Sequence, residues 1–346
     1  MAEQQFIDNP ILNSPYLEPT RHWALDEKGE PVGNYQKGRR RSKYLIPVPA
    51  ARGRGRQRGL DLEVQEENHK SAELPYVNNI RLMMAEWRQR PPDKWGVTPA
   101  TKELLLHWRE KSEKRKRGEK DENDLSPELF FCQIEAAETL IWLNEVAPTD
   151  KKGKQLLEEI REANEEANPG LFRLAVKMAT GSGKTMVMAM LIAYHAINKS
   201  RSPRSERFTN SFLIITPGIT IRDRLRVLLP ADSENYYKNR GIVPPDMWRD
   251  MEKARVVIQN YHAFSRRETR NLSPTARRIL RGNGPDIITK ETDDDMLART
   301  CRDLLCDKSA IVINDEAHHC YQHADRDEEA KPTPPPPPKM AMKQRK

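Results

Sequence analysis

The sequence predicts an α/β domain over residues 170–321, a mainly parallel sheet flanked by helices. Three observations predict it. Four short apolar runs, FRLAVKM (172–178), SFLIITP (211–217), ARVVIQN (254–260) and AIVINDE (310–316), alternate with helical or polar stretches. Three of them are β-branched-rich and nearly continuous in hydrophobicity, which is what strands buried on both faces of a parallel sheet look like. The loop MATGSGKT (178–185) lies between the first run and a long apolar stretch, TMVMAMLIAYHAI, that reads as a helix. Alternation of strands and helices in this order builds a doubly wound sheet.

Ahead of that domain the chain is less regular. Residues 1–74 are rich in Pro, Arg and Gly, with basic clusters GRRRSK (38–43) and RGRGRQR (52–58). Little periodicity runs through them, so a solvated basic extension is expected, and forked arginine donors would suit phosphates there. NSPYLEPTRHW (13–23) mixes aromatics with proline, so part of this arm is expected to pack. From 75 to 110, Ile80, Met83, Met84 and Trp87, then Leu104, Leu105 and Trp108, recur at helical spacing. Thr98 or Thr101 is a candidate opener for the second helix. The charge run 111–124 reads as a linker or exposed helix end. Residues 127–143 form another amphipathic stretch, and the Lys/Glu-rich segment 148–169 reads as an exposed helix, so 75–169 is a helical region. Residues 322–346, with KPTPPPPPK, are expected to be disordered, because a proline run cannot join a sheet.

Composition narrows the function classes. There are 59 Lys and Arg against 51 Asp and Glu, a formal charge of +8, which favours polyanionic partners. The longest apolar stretch, about Met186–Ile197, is too short for a bilayer, and the first residues lack the order of a secretion signal. A cytoplasmic protein that does not span a membrane is expected. Cys132, Cys301, Cys306 and Cys320 show no CxxC pairing, so reduced thiols are expected.

The chemistry concentrates in two motifs. In ATGSGKT, Gly181 and Gly183 allow positive-φ or crowded backbone, so that successive amides, including those of Thr180 and Ser182, can form an anion nest. A helix beginning near Lys184 would aim its positive end at the same anion. Lys184 would place a charge on the β and γ phosphates of a nucleotide, and Thr185 would offer a hydroxyl to Mg²⁺. The strict pattern asks for glycine where Met178 stands, which leaves the nest intact. In IVINDEAHH (311–319), Asp315 and Glu316 end a buried run, at the sheet edge where open α/β sheets bind ligands. Asp315 would hold the Mg²⁺ shell and Glu316 would orient or deprotonate an attacking water. Alone, Asp-Glu after an apolar run is a common surface turn; beside the phosphate loop it reads as a catalytic pair. His318 reads as a residue coupling nucleotide and nucleic-acid sites. Thr216, Pro217 and Arg222, just past a strand end, are candidates for sequence-blind contacts to phosphates, with solvent exposure as the alternative for Arg222 and Arg224.

Together these residues resemble superfamily 2 helicases and translocases, with MATGSGKT as motif I and DEAH (315–318) as motif II. ITPGITIRDRL (215–225) is similar to motif Ia, QNYHAF (259–264) to the next nucleic-acid-contacting segment, and FFCQIEAAETLIWL (130–143) to the glutamine motif. The nearest likeness within the superfamily is to the Res subunits of type III restriction enzymes. The resemblance implies a RecA-like first motor domain that binds ATP and Mg²⁺, Gln133 reading the adenine edge, and Glu316, Asp315 and Lys184 as catalytic residues. It implies DNA, duplex or single-stranded, as partner, together with a second RecA-like domain or a restriction or modification subunit. No Ser-Ala-Thr motif, cross-cleft arginine or nuclease domain follows 321, so the sequence reads as the first half of a motor, needing a second domain for efficient hydrolysis. Two other readings stand beside it: a non-enzymatic nucleic-acid-binding fragment with a vestigial nucleotide site, and a small-molecule kinase, against which the DEAH string argues.

Overall fold

The computed structural model describes residues 11–26, 29–47, 69–73, 75–116, 128–267, 291–305 and 309–317, with the backbone alone described at 44–47, 69–72, 75 and 111–116. The expected tail at 322–346 lies outside these residues.

The chain opens with two antiparallel strand pairs. β1 (Arg21–Leu25) pairs with β2 (Pro31–Lys37), and β3 (Lys43–Pro47) pairs with β4 (His69–Glu73). The arm therefore carries strands that its lack of periodicity does not predict, and β2 is exposed along its length. Asn13 organises the entry, its Oδ1 accepting from the Thr20 amide at 3.0 Å and its Nδ2 donating to the Arg21 carbonyl at 2.8 Å. Local polar bonding of this kind carries no hydrophobic period, which is why the pattern is silent about it.

Helices α1 (Pro75–Arg88) and α2 (Pro99–Lys116) follow where the apolar spacing predicts them. Thr98 opens α2, its hydroxyl accepting from the Thr101 amide at 3.2 Å. α3 (Phe131–Ile141) continues into a wider turn at Trp142–Val146, and α4 (Lys151–Ala167) is capped by Asp150, which accepts from the Gly153 amide at 2.9 Å. Glu145, buried, ties three elements together. It accepts from the Thr98 amide and the Thr101 hydroxyl, both at 2.7 Å, and Thr101 in turn accepts from Asn198 at 2.9 Å.

α5 (Lys184–Arg201) packs on a parallel three-stranded sheet of order β6-β5-β7, with β5 at Ser211–Thr216, β6 at Arg255–Asn260 and β7 at Ile311–Asn314. β5 is central, and Ile214 faces Ile258 on one neighbour and Ile313 on the other. Three of the four apolar runs are thus strands of one parallel sheet, and the domain is a RecA-like α/β fold. The helices ahead of the phosphate loop and the sheet share one core, in which Trp87 and Trp108 of α1 and α2 join Ile192 and Ile197 of α5 and Phe212 and Ile214 of β5. Trp108 satisfies its indole N–H on the Ile242 carbonyl at 2.8 Å. No helix among the described residues is long and apolar enough to cross a membrane.

The first of the four runs departs from expectation. Residues 172–178 form no regular element and pair with no strand among the described residues, and Phe172, Leu174 and Val176 are exposed. Asn164 of α4 takes the place of a ladder, donating to the Leu171 carbonyl at 3.0 Å and accepting from the Arg173 amide at 2.9 Å. The run also alternates, with Arg173 and Lys177 breaking the apolar continuity that a strand buried on both faces requires.

His195 sits inside α5 against Tyr194 and Phe208, and its Nδ1 has no hydrogen-bond partner among the described residues. Burial pushes its pKa down from 6.5 to about 4. The unfolded chain therefore binds the proton first, so this contribution to stability is complete above pH 6.5 and is lost as pH falls towards 4. The loss is about 3 kcal/mol. Denaturant melts between pH 7.5 and 4.5 are expected to show that slope, and His195→Leu is expected to flatten it.

Candidate functional site

The phosphate loop is built by two left-handed glycines. Gly181 and Gly183 hold φ of 79° and 80°, a region glycine enters without steric cost. Between them Ser182 closes the turn, its hydroxyl donating to the Ala179 carbonyl at 2.6 Å. Gly183 is the N-cap of α5, so Lys184 and Thr185 are the first two helical residues. The opening turn of a helix leaves backbone amides without intrahelical partners, which suits an anion. Thr180 and Gly181 are exposed, and Ser182, Lys184 and Thr185 are half-buried.

Gln133 closes the loop from the side. Its Oε1 accepts from the Phe130 amide at 2.9 Å and its Nε2 donates to the Ser182 carbonyl at 3.0 Å. The amide is thus engaged at both ends by the protein, and each end keeps one further bonding position. α3, which carries it, is held in turn by the N-terminal arm. The Phe131 amide donates to the Pro15 carbonyl at 2.9 Å, and Tyr16 lies 5.5 Å from Phe130, ring to ring. Arg39 grips Glu135 with both guanidinium nitrogens, at 2.6 and 2.5 Å. Burial alone would raise the Glu135 pKa; the Arg39 bonds and charge hold it below the usual carboxylate range. The sequence reading missed this clasp, and its only local signal is the basic cluster at 38–43.

The acidic turn meets the loop across the sheet edge. The Asp315 amide donates to the Ile215 carbonyl at 3.0 Å, extending the β5–β7 ladder by one residue. Glu316 then takes a φ of 52°, the only positive value at a non-glycine position among the described residues. Its Oε1 lies 3.4 Å from Lys184 Nζ, across 132 positions of sequence. Asp315 is held above the ordinary carboxylate pKa, by burial first and then by the Glu316 charge, with Lys184 and Arg224 opposing. His318 lies outside the described residues.

The third group of predicted residues sits at the end of β5. Thr216 is buried, and its hydroxyl donates to the Gly218 carbonyl at 3.1 Å, so it shapes the turn. Pro217 is half-buried. Arg222, on α6 (Ile219–Arg224), pairs with its neighbour Asp223 at 3.2 Å, while Arg224 is exposed. The structure therefore brings Lys184, Glu316 and Asp315 to one place, clamps Gln133 to the same loop, and roots the 216–224 segment one residue from the Asp315 anchor.

Cys132 and Cys301 are free thiols, and no cluster of three or more His, Cys, Asp or Glu residues is poised for a metal among the described residues. Mg²⁺ needs no such cluster, since it keeps several waters and takes one or two protein oxygens beside substrate phosphates. A half-buried carboxylate crowded by a second one, as at Asp315, is a donor whose repulsion a cation would relieve.

No curated protein and no solved structure matches the chain. The family model described as type III restriction enzyme, res subunit, matches residues 126–332, more than half of the chain, and takes in the glutamine helix, the phosphate loop and the acidic turn. With these elements inside the matched span on one α/β scaffold, the chain belongs to the type III restriction enzyme res-subunit family and carries its helicase-like ATP-binding motor domain.

Proposed function

We propose that residues 180–185 hold the triphosphate of ATP and that this domain serves a DNA translocase or helicase of a restriction system. The observation that carries the reading is the 3.4 Å approach of Lys184 to Glu316, which sets the loop cation and the acidic turn around one small volume. Lys184 supplies charge to the β and γ phosphates, and the amides at the start of α5 supply donors. Thr185 and Asp315 would hold Mg²⁺, which would neutralise phosphate charge when bound. Glu316 orients the attacking water and accepts its proton, a role in which a carboxylate must lie within hydrogen-bond reach of that water. Gln133 keeps the loop in register with α3 and retains one donor and one acceptor position for the adenine edge. Past β5, the turn at Thr216 and Pro217 and the basic residues Arg222 and Arg224 face a nucleic-acid backbone, with His318 coupling the two sites. The partner would be DNA, alongside a restriction or modification subunit.

Filter binding with radiolabelled ATP tests the nucleotide half. A charge-assisted bond to phosphate contributes about 1.5–3 kcal/mol, so Lys184→Ala is expected to weaken ATP binding by about tenfold or more. Equal binding by the two proteins would show that the loop is vestigial, and a nucleic-acid-binding fragment would be the better description.

A further inference from the structure

A cavity of about 1840 Å³ opens between the N-terminal arm, α1, the floor provided by α3 and α4, and the unpaired segment 173–179. It ends against Ser182 of the phosphate loop, and none of residues 216–224 lines it. Pockets for small molecules hold roughly 300–1,000 Å³, so this one is too large for a single nucleotide or metabolite and suits part of a polymer.

Its charge is one-sided. Seven Lys or Arg residues line it against three carboxylates. Those carboxylates are already engaged: Glu135 by Arg39, Glu73 by Arg41 at 3.4 Å, and Asp26 by the Glu30 amide of its own turn at 2.8 Å. Arg40, Lys43, Arg173 and Lys177 make no ion pair among the described residues, and all four are exposed. Arg173 and Lys177 belong to one segment, and both line the cavity. They form one wall, and Arg40 and Lys43 of the arm form another. Arg81 of α1 lines the same cavity, its Nη1 donating to the Arg40 carbonyl at 3.2 Å. Burial, then the charges of Arg39 and Arg40, push the Arg81 pKa down, with Glu135 opposing.

Aromatic rings interleave with these charges. Trp23 of β1 and Tyr76 of α1 both line the cavity, and Tyr76 is exposed. Basic walls that track a backbone, with rings on which bases stack, are the physical requirements for single-stranded nucleic acid. A duplex keeps its bases stacked on one another and has no use for the rings. An acidic peptide would use the charges and leave the rings idle.

We propose that this cleft binds single-stranded nucleic acid, its phosphates against Arg40, Lys43, Arg81, Arg173 and Lys177 and its bases against Tyr76 and Trp23. The site is separate from the loop after β5, and it does not depend on the ATP reading. A strand lying in it would touch the arm that clasps α3 and the segment that feeds the phosphate loop, so its occupancy would be felt at the nucleotide site.

The test is fluorescence anisotropy of the full chain with a labelled oligothymidylate of about twenty nucleotides, titrated over a range of salt. Arg40→Glu combined with Lys43→Glu is expected to weaken binding at least about tenfold at low salt. It should also flatten the logarithmic salt slope by about one to two, since each phosphate contact on a single strand contributes about 0.7. Tyr76→Ala is expected to weaken binding about five- to hundredfold with the salt slope kept, as loss of a stacking ring does. Unchanged affinity and slope in the double variant would overturn the proposal. Tighter binding of a duplex of equal length would do so as well, and so would equal competition by oligoglutamate of matched charge, which would make an acidic protein segment the occupant. Photocrosslinking of a 4-thiothymidine oligonucleotide to the unmodified chain needs no variant to fold. Crosslinks should map to peptides carrying Tyr76, Trp23 or 173–177, and crosslinks confined to 217–224 would refute the cleft. ATP binding of every variant, measured in parallel, keeps this result apart from the nucleotide reading.

Discussion

Gly183→Ala is expected to cost the chain about a hundredfold in ATP affinity, against about fivefold for Gly181→Ala, although the two glycines share the same left-handed backbone. At Gly181 an added Cβ meets nothing within 4 Å, so the cost is the αL penalty alone, about 1–2 kcal/mol. At Gly183 the same penalty applies, and the Cβ would also fall 2.1 Å from Nε2 of Gln133. That amide cannot swing away freely. It is buried and bonded at both ends, to Phe130 and to Ser182, and moving it would leave polar groups unsatisfied at roughly 1–3 kcal/mol. Titration with a fluorescent ATP analogue would separate the two variants. If the clash is the cause, Gln133→Ala placed with Gly183→Ala should recover part of the loss, a coupling that a double-mutant cycle measures directly. Equal defects in the two single variants would mean that Gln133 does not restrain the loop.

The largest expected loss of stability is at Glu138, far from any ligand. This carboxylate is 1% exposed and lies between two guanidinium groups, accepting from Arg88 Nε at 2.6 Å and from Arg109 Nε at 2.7 Å. Arg109 in turn lies over the Trp95 ring at 4.4 Å and the Trp87 ring at 5.4 Å. Glu138→Ala leaves two cations facing a buried space, and breaking a buried pair from one side costs about 3–5 kcal/mol. Urea melts should show the midpoint fall with little change in slope, and thermal melts a drop of roughly 5–15 °C. A loss under 1 kcal/mol would mean that water reaches the arginines and screens them.

How far the sequence reaches depends on which interactions have a period. β5, β6 and β7 were legible because Phe212 to Ile214 are buried and Ile215, Val256 to Ile258, Ile311 and Ile313 are half-buried against the same cores, and burial writes itself as apolar runs. α1, α2 and α3 were legible through Trp87, Trp108 and Ile134 at helical spacing. The phosphate loop and the acidic turn were readable because glycine, lysine and paired carboxylates are rare in that order at strand ends. Segment 172–178 misled because its composition is apolar, while the Arg173 amide bonds to a side chain, Asn164, which no periodicity announces. The Arg39–Glu135 clasp was invisible for a related reason. It joins residues 96 positions apart, and neither residue type is unusual where it stands.

The ladder bond from the Asp315 amide to the Ile215 carbonyl has a mechanical consequence. Ile215 is joined by a single peptide to Thr216, whose hydroxyl staples the following turn to Gly218. Any tilt of the Asp315 backbone would meet two rigid peptide planes before the segment beginning at Pro217. The link between the acidic tip and the basic turn is thus main chain, which side-chain substitution cannot remove.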